Sequence, residues 1–138
     1  MTALVDTSAL IAYYDRRSAD HAAVVEAFQA APAPLSLSPL VLAEFDFLIT
    51  KYAGQQVALA ALRELADTMH IEEFHGADLR AAADVMSRYA DLDIGLTDAS
   101  IVVLAHRCRT ERVLTLDRRH FAVVRPLSDA AAFTVLPE

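Results

Sequence analysis

Short apolar runs that stop on a polar residue and hand over to helix-length segments recur along this 138-residue chain, and that alternation limits the fold more than any other feature. Residues 3–5 (ALV) end at Asp6-Thr7-Ser8, and 35–38, 69–74 (MHIEEF), 112–116 (RVLTL) and 133–136 (FTVL) are further stretches of strand length. Helices are predicted near 7–14, 20–31, 39–53, 55–67, 77–90 and 98–109. Their boundaries carry the expected punctuation: Asp20 opens the second, Pro32 and Pro34 stop it, Pro39 fits the first turn of the third, and Gly54 divides the third from the fourth. Thr97 reads as the N-cap of the last helix. Strands alternating with helices in this way form a parallel sheet covered on both faces.

The length suits one domain spanning 1–138 with a core large enough to need no disulfide or structural metal. Alanine supplies 27 residues, clustered at 58–61 and 81–83, which favours closely packed helices. No apolar run approaches the roughly 18 to 20 residues that cross a bilayer, and the opening MTALVDTSAL lacks a signal-peptide pattern, so no membrane partner and a cytoplasmic location are expected. Cys108 has no second cysteine to pair with and reads as filler within a helix.

In an open parallel sheet, ligands bind beyond the carboxyl ends of the strands. Asp6 and Asp117 each follow a predicted strand and so belong to that edge. Asp6 either caps the next helix or, with Thr7 and Ser8 able to cap in its place, stands free. Glu44 has Leu40, Val41, Phe47 and Leu48 as its three- and four-residue neighbours, and an ionised carboxylate on such a stripe costs several kcal/mol unless a cation or donor meets it. Asp46, with Leu42, Ala43 and Ile49 around it, offers the same argument, so one of the two faces solvent. Asp98 sits at the predicted start of its helix, where the dipole favours a carboxylate with or without metal. The loop before it adds Asp91 and Asp93, and a gathering of acids there calls for a cation. Asp117 is either a ligand or part of an Asp-Arg turn. Together these groups provide the hard oxygen donors that Mg²⁺ or Mn²⁺ prefers.

Other chemistries find little support. His21, His70, His75, His106 and His120 show no HExxH or comparable spacing and read as surface or capping residues, although His120 and Arg119 stand where they can meet a phosphate. There is no GxGxxG, GxxxxGK[ST] or GxSxG, and only three glycines in all. A net charge of −7 runs against a nucleic-acid partner, but four acids committed to cations leave −3, and the Arg-rich tract from Arg107 to Arg125 can meet phosphates.

Four segments, LVDTSALIAYYD, SPLVLAEFDFL, IGLTDASIVVLAHR and VLTLDRRHFAVVRP, resemble in order and spacing the PIN-domain ribonucleases known as VapC toxins. The likeness spans nearly the whole chain. It implies an α/β fold of three layers, α/β/α, with a central, mainly parallel sheet of four to five strands. It also implies Mg²⁺-dependent endoribonuclease activity, with Mn²⁺ as a possible substitute, pairing with a VapB-type antitoxin in a type II toxin-antitoxin module, and a homodimer. Carried over by position, Asp6, Glu44, Asp98 and Asp117 fall on the family's acidic quartet and Thr7 or Ser8 on its hydroxyl. Asp6 and Asp98 would hold the principal metal, with Glu44 and Asp117 completing a second position or orienting water. Arg112, Arg118 and Arg119 are candidates for the RNA backbone, and Asp93 is unassigned. Two other readings compete: a catalytically inactive PIN-like binding module, and a phosphotransfer domain. The latter lacks its partners, because Lys51 is the only lysine and position 8 is Ser.

Overall fold

The computed structural model describes residues 2–31 and 34–138; Pro32, named above as a helix stop, lies outside them. The chain runs β1 (Leu4–Val5), α1 (Thr7–Tyr14), α2 (His21–Ala30), β2 (Ser36–Leu37), α3 (Pro39–Ala53), α4 (Gln55–Thr68) and β3 (His70–Ile71). It continues through α5 (Gly76–Arg88), a 3-10 turn at Ala90–Leu92, α6 (Leu96–Arg107), β4 (Arg112–Leu114), α7 (Arg118–Val123) and β5 (Thr134–Leu136). The predicted helices all form, within two residues at most ends. The strands are shorter than expected, and α7 occupies a segment read from sequence only as the close of β4.

The five strands make one sheet in the order β3-β2-β1-β4-β5, and all four pairings are parallel. Both residues of β1 and of β2 are buried, as are Val113 and Leu114 of β4. Successive strand residues point to opposite faces, so helices must cover both sides: this is the three-layer α/β/α arrangement. Strand order steps from β1 to β2 and β3 on one side and resumes with β4 and β5 on the other. The reversal opens a crevice between the carboxyl ends of β1 and β4. Among the described residues, no helix is long and apolar enough to cross a membrane.

Two helices matter most for what lies in that crevice. Every residue of α6 from Ala99 to Ala105 is buried, so this helix is held on all sides. Its N-cap is Gly95, without a side-chain bond, rather than Thr97, and Asp98 is its third residue instead of its first. Helix α3 buries Val41, Phe45 and Ile49, while Phe47 is 67% exposed. Glu44 therefore flanks the buried stripe instead of lying on it. Gly54 joins α3 to α4 at φ +90°, a conformation in which a Cβ would be strained.

The starts of α3 and α6 are bonded to each other. Ser38 Oγ caps α3 by accepting from Leu40 N at 3.1 Å and lies 2.7 Å from Ser100 Oγ, which in turn donates to Thr97 O at 2.6 Å. Since the Ser100 proton is committed to that carbonyl, Ser38 donates to Ser100. The chain is buried and fully ordered in direction. Replacing the cap, Ser38→Ala, is expected to cost about 1–2 kcal/mol, read as a lower urea midpoint at unchanged slope.

Candidate metal centre

Asp6 occupies the first position after β1, and its backbone N donates to Leu114 O at 2.8 Å, which fixes it to β4 as well. As N-cap of α1 it accepts from Thr7 N on Oδ1 at 2.8 Å, so the cap reading is correct. Its other oxygen is held separately. Oδ2 accepts from Thr115 Oγ1 at 2.7 Å and from Ser8 Oγ at 3.2 Å. These two hydroxyls accept backbone N–H groups in return, Thr115 from Asp117 at 2.9 Å and Ser8 from Leu116 at 2.9 Å. The segment leading to Asp117 is thereby stitched to the start of α1. Of the two hydroxyls expected beside Asp6, Ser8 reaches it; Thr7 Oγ1 is buried without a partner.

Asp6, Glu44, Asp98 and Asp117 line one open cavity of 650 Å³, together with Thr7 and Ser8. Each acid comes from a different element: the end of β1, the exposed flank of α3, the first turn of α6 and the cap of α7. Asp91 and Asp93, expected to crowd Asp98, are exposed and do not reach the cavity. The acids near Asp98 are Asp6 and Asp117 instead. Arg112 stands at the amino end of β4, on the opposite edge of the sheet, while Arg118 turns its guanidinium to Pro137 O. Arg119 is exposed beside Asp117.

Burial and mutual repulsion set the electrostatics. Burial pushes the Asp6 carboxyl above its ordinary range and the Glu44 charge adds to this, against the opposing hydrogen bonds from Thr115, Thr7 and Ser8. Asp98 is pushed up to about 6, chiefly by burial and then by the Asp6 charge, with His120 opposing and Asp117 adding a little. Such a set is costly to ionise alone and suits a divalent cation, which offsets the repulsion and takes hard oxygen donors. The chemistry of the cavity's carboxylates thus fits a divalent cation, with Asp98 and Asp117 offering oxygens within 4.8 Å of each other and Asp6 and Glu44 lining the same cavity.

Two members of the site were not read from the sequence. Thr115 had a signal, since it stands in the run predicted as a strand over 112–116, two residues before Asp117, a spacing that in extended chain puts two side chains on the same side. His120, read from sequence as a turn residue able to meet a phosphate, instead lies among the acids: Asp98, Asp117 and His120 offer ligand atoms within 4.8 Å of one another. Only a helix at 118–123 places it there.

The PIN domain family model matches residues 3–126. The chain is 44% identical over 135 residues to Ribonuclease VapC26 of Mycobacterium tuberculosis, covering 97% of this chain and 99% of that protein. Among solved structures it is similar to Mycobacterium tuberculosis VapC20, a Sarcin-Ricin loop cleaving toxin, with TM-score 0.75, 20% identity, and 82% and 87% of the two chains covered. A toxin-antitoxin complex from Klebsiella pneumoniae gives TM-score 0.70 at 22% identity, covering 90% and 93%.

Two predictions follow the geometry. Without metal, native Asp98 binds its proton more tightly than the unfolded chain does, whose ordinary value is 3.8. Stability of the chelator-treated protein therefore rises as pH falls through 6 towards 4, and is lost again as pH rises. Asp98→Asn should remove that part of the dependence, so the difference in melting temperature between variant and wild type shrinks from pH 7 to pH 5. Thr115→Val, which frees Asp6 Oδ2 of its shortest bond, is expected to weaken Mn²⁺ binding about 10-fold or more, read by calorimetric titration.

Proposed function

Since the chain belongs to the PIN-domain family, we propose that it is a Mg²⁺-dependent endoribonuclease of the VapC kind, the toxin of a type II toxin-antitoxin module. The observation that carries this reading is the convergence of four carboxylates from four elements on one cavity at the strand-order reversal. The 44% identity to a VapC ribonuclease supports it. Asp6 and Asp98 are assigned the principal metal, with Glu44 and Asp117 completing a second position or orienting the attacking water.

A divalent cation bound there supplies Lewis acidity towards a phosphate oxygen and lowers the pKa of water. The chain's own residues do the rest. Thr115 and Ser8 aim the Asp6 carboxylate, the backbone of Thr7 fixes its rotation, and the start of α6 presents Asp98 on a helix that packing holds still. The cavity is open, which suits a polymer strand entering from solvent. Arg119, exposed beside Asp117, is placed for the RNA backbone. The expected products carry a 3′-hydroxyl and a 5′-phosphate.

A VapB-type antitoxin, a homodimeric state and a cytoplasmic location belong to the same proposal, as does the reading of 1–138 as a single domain. The Klebsiella relative, a toxin-antitoxin complex, supports the first of these. An antitoxin that covers the cavity and inserts an Arg among the carboxylates would match its charge.

Cleavage of total RNA by purified protein tests the reading. Activity is expected with Mg²⁺, none with chelator, and a loss of at least about 100-fold, or 2.7 kcal/mol of barrier, in Asp6→Asn and in Asp98→Asn. Undiminished cleavage by both variants would sink the mechanism.

A further inference from the structure

Helix α7 brings into the cluster a side chain that a four-acid site does not use. His120 lies one turn beyond Asp117, and its Nδ1 is 3.0 Å from Asp98 Oδ2 and 3.2 Å from Asp117 Oδ2. Lone pairs of a bare nitrogen and two carboxylate oxygens at these distances would repel, so the ring carries a proton on Nδ1 and donates it. The donor bond runs to Asp98, with Asp117 Oδ2 against the same N–H. Among the described residues, neither carboxylate has another side-chain or backbone donor.

The helix that carries the ring is anchored to the core. Phe121, next in sequence, is 1% exposed and meets Phe133 edge-on at 5.7 Å between centroids. The imidazole itself is only 17% exposed. On the far side, Asp98 rides on α6, whose start is fixed to α3 through Ser38 and Ser100. His120 thus ties the first turn of α6 to α7 at the point where two like charges meet.

We infer that His120 is a positioning residue of the metal centre: its Nδ1–H clamps Oδ2 of Asp98 and of Asp117, holding the pair together and leaving each Oδ1 for the cation. This rests on the metal-dependent reading proposed above. An imidazole suits the task because it donates while neutral, whereas Lys or Arg would place a permanent positive charge where a divalent cation is to bind. Partners of this kind, which orient ligands without binding the metal, act through affinity.

Mn²⁺ binding to full-length wild type, His120→Ala and His120→Asn, followed by loss of the free-ion electron paramagnetic resonance signal, tests the inference apart from RNA cleavage. Asn keeps an amide N–H near the position of Nδ1. Weakening of about 10- to 100-fold is expected in His120→Ala, with an unchanged circular dichroism spectrum, and recovery of most of that loss in His120→Asn. The wild-type Mn²⁺ spin echo should lack the modulation of a directly bound imidazole nitrogen. Wild-type affinity in His120→Ala, an Asn variant as weak as Ala, or a directly bound ring nitrogen would each overturn the positioning role. If His120→Ala does not fold, the Asn variant and the spin echo decide. Wild type that binds Mn²⁺ but cuts no RNA would sink the nuclease reading and leave this one standing; wild type that binds no Mn²⁺ would overturn both.

Discussion

The carboxylate of Asp6, 4% exposed at the junction of β1 and β4, is the constraint around which this structure is arranged. An acid so buried is tolerated only where donors or a cation meet it, and here three donors do. Each of the two hydroxyl donors is also an acceptor for the chain leaving β4, so satisfying Asp6 simultaneously fixes the path to Asp117. A buried charge that would otherwise be a liability becomes the joint between the two halves of the sheet.

The remaining acids are placed by packing more than by bonds of their own. Glu44 stands on the flank of α3 because Val41, Phe45 and Ile49 fix the rotation of that helix. Asp98 stands at the mouth of the cavity because α6 is gripped along its whole middle, and Ser38 and Ser100 lock the two helix starts together. The fold itself therefore gathers these carboxylates, and their repulsion is set against its stability. Metal centres that bind hard cations tightly are built in this way, with the cost of gathering like charges met during folding.

Much of this was legible in the sequence. Asp6 and Asp117 follow apolar runs directly, and in a parallel sheet that position alone puts them on the ligand-binding edge. Thr97 misled because Ser and Thr favour caps, whereas tertiary packing starts α6 at Leu96, two residues earlier than periodicity suggests. Phe47 misled because a spacing rule cannot tell which of several apolar residues faces the core, and the rotation of α3 exposes it. Glu44 does line the cavity, but from the exposed flank of α3 and not from the apolar stripe on which the spacing argument placed it. His120 was illegible as a ligand partner because its role depends on a contact across 22 residues, which no local pattern encodes; the spacing of Thr115 from Asp117 was a signal, but its bond to Asp6 spans 109 residues.

A crystal structure of the protein soaked with Mn²⁺, with anomalous scattering used to find the ion, tests most directly the claim that these carboxylates form one metal centre. The account predicts an anomalous peak in the cavity at about 2.1 Å from oxygens of Asp98 and at least one further member of the quartet, with Asp6 facing the ion or its waters. An ordered Mn²⁺ bound only elsewhere, or none in the cavity at saturating concentration, would contradict it.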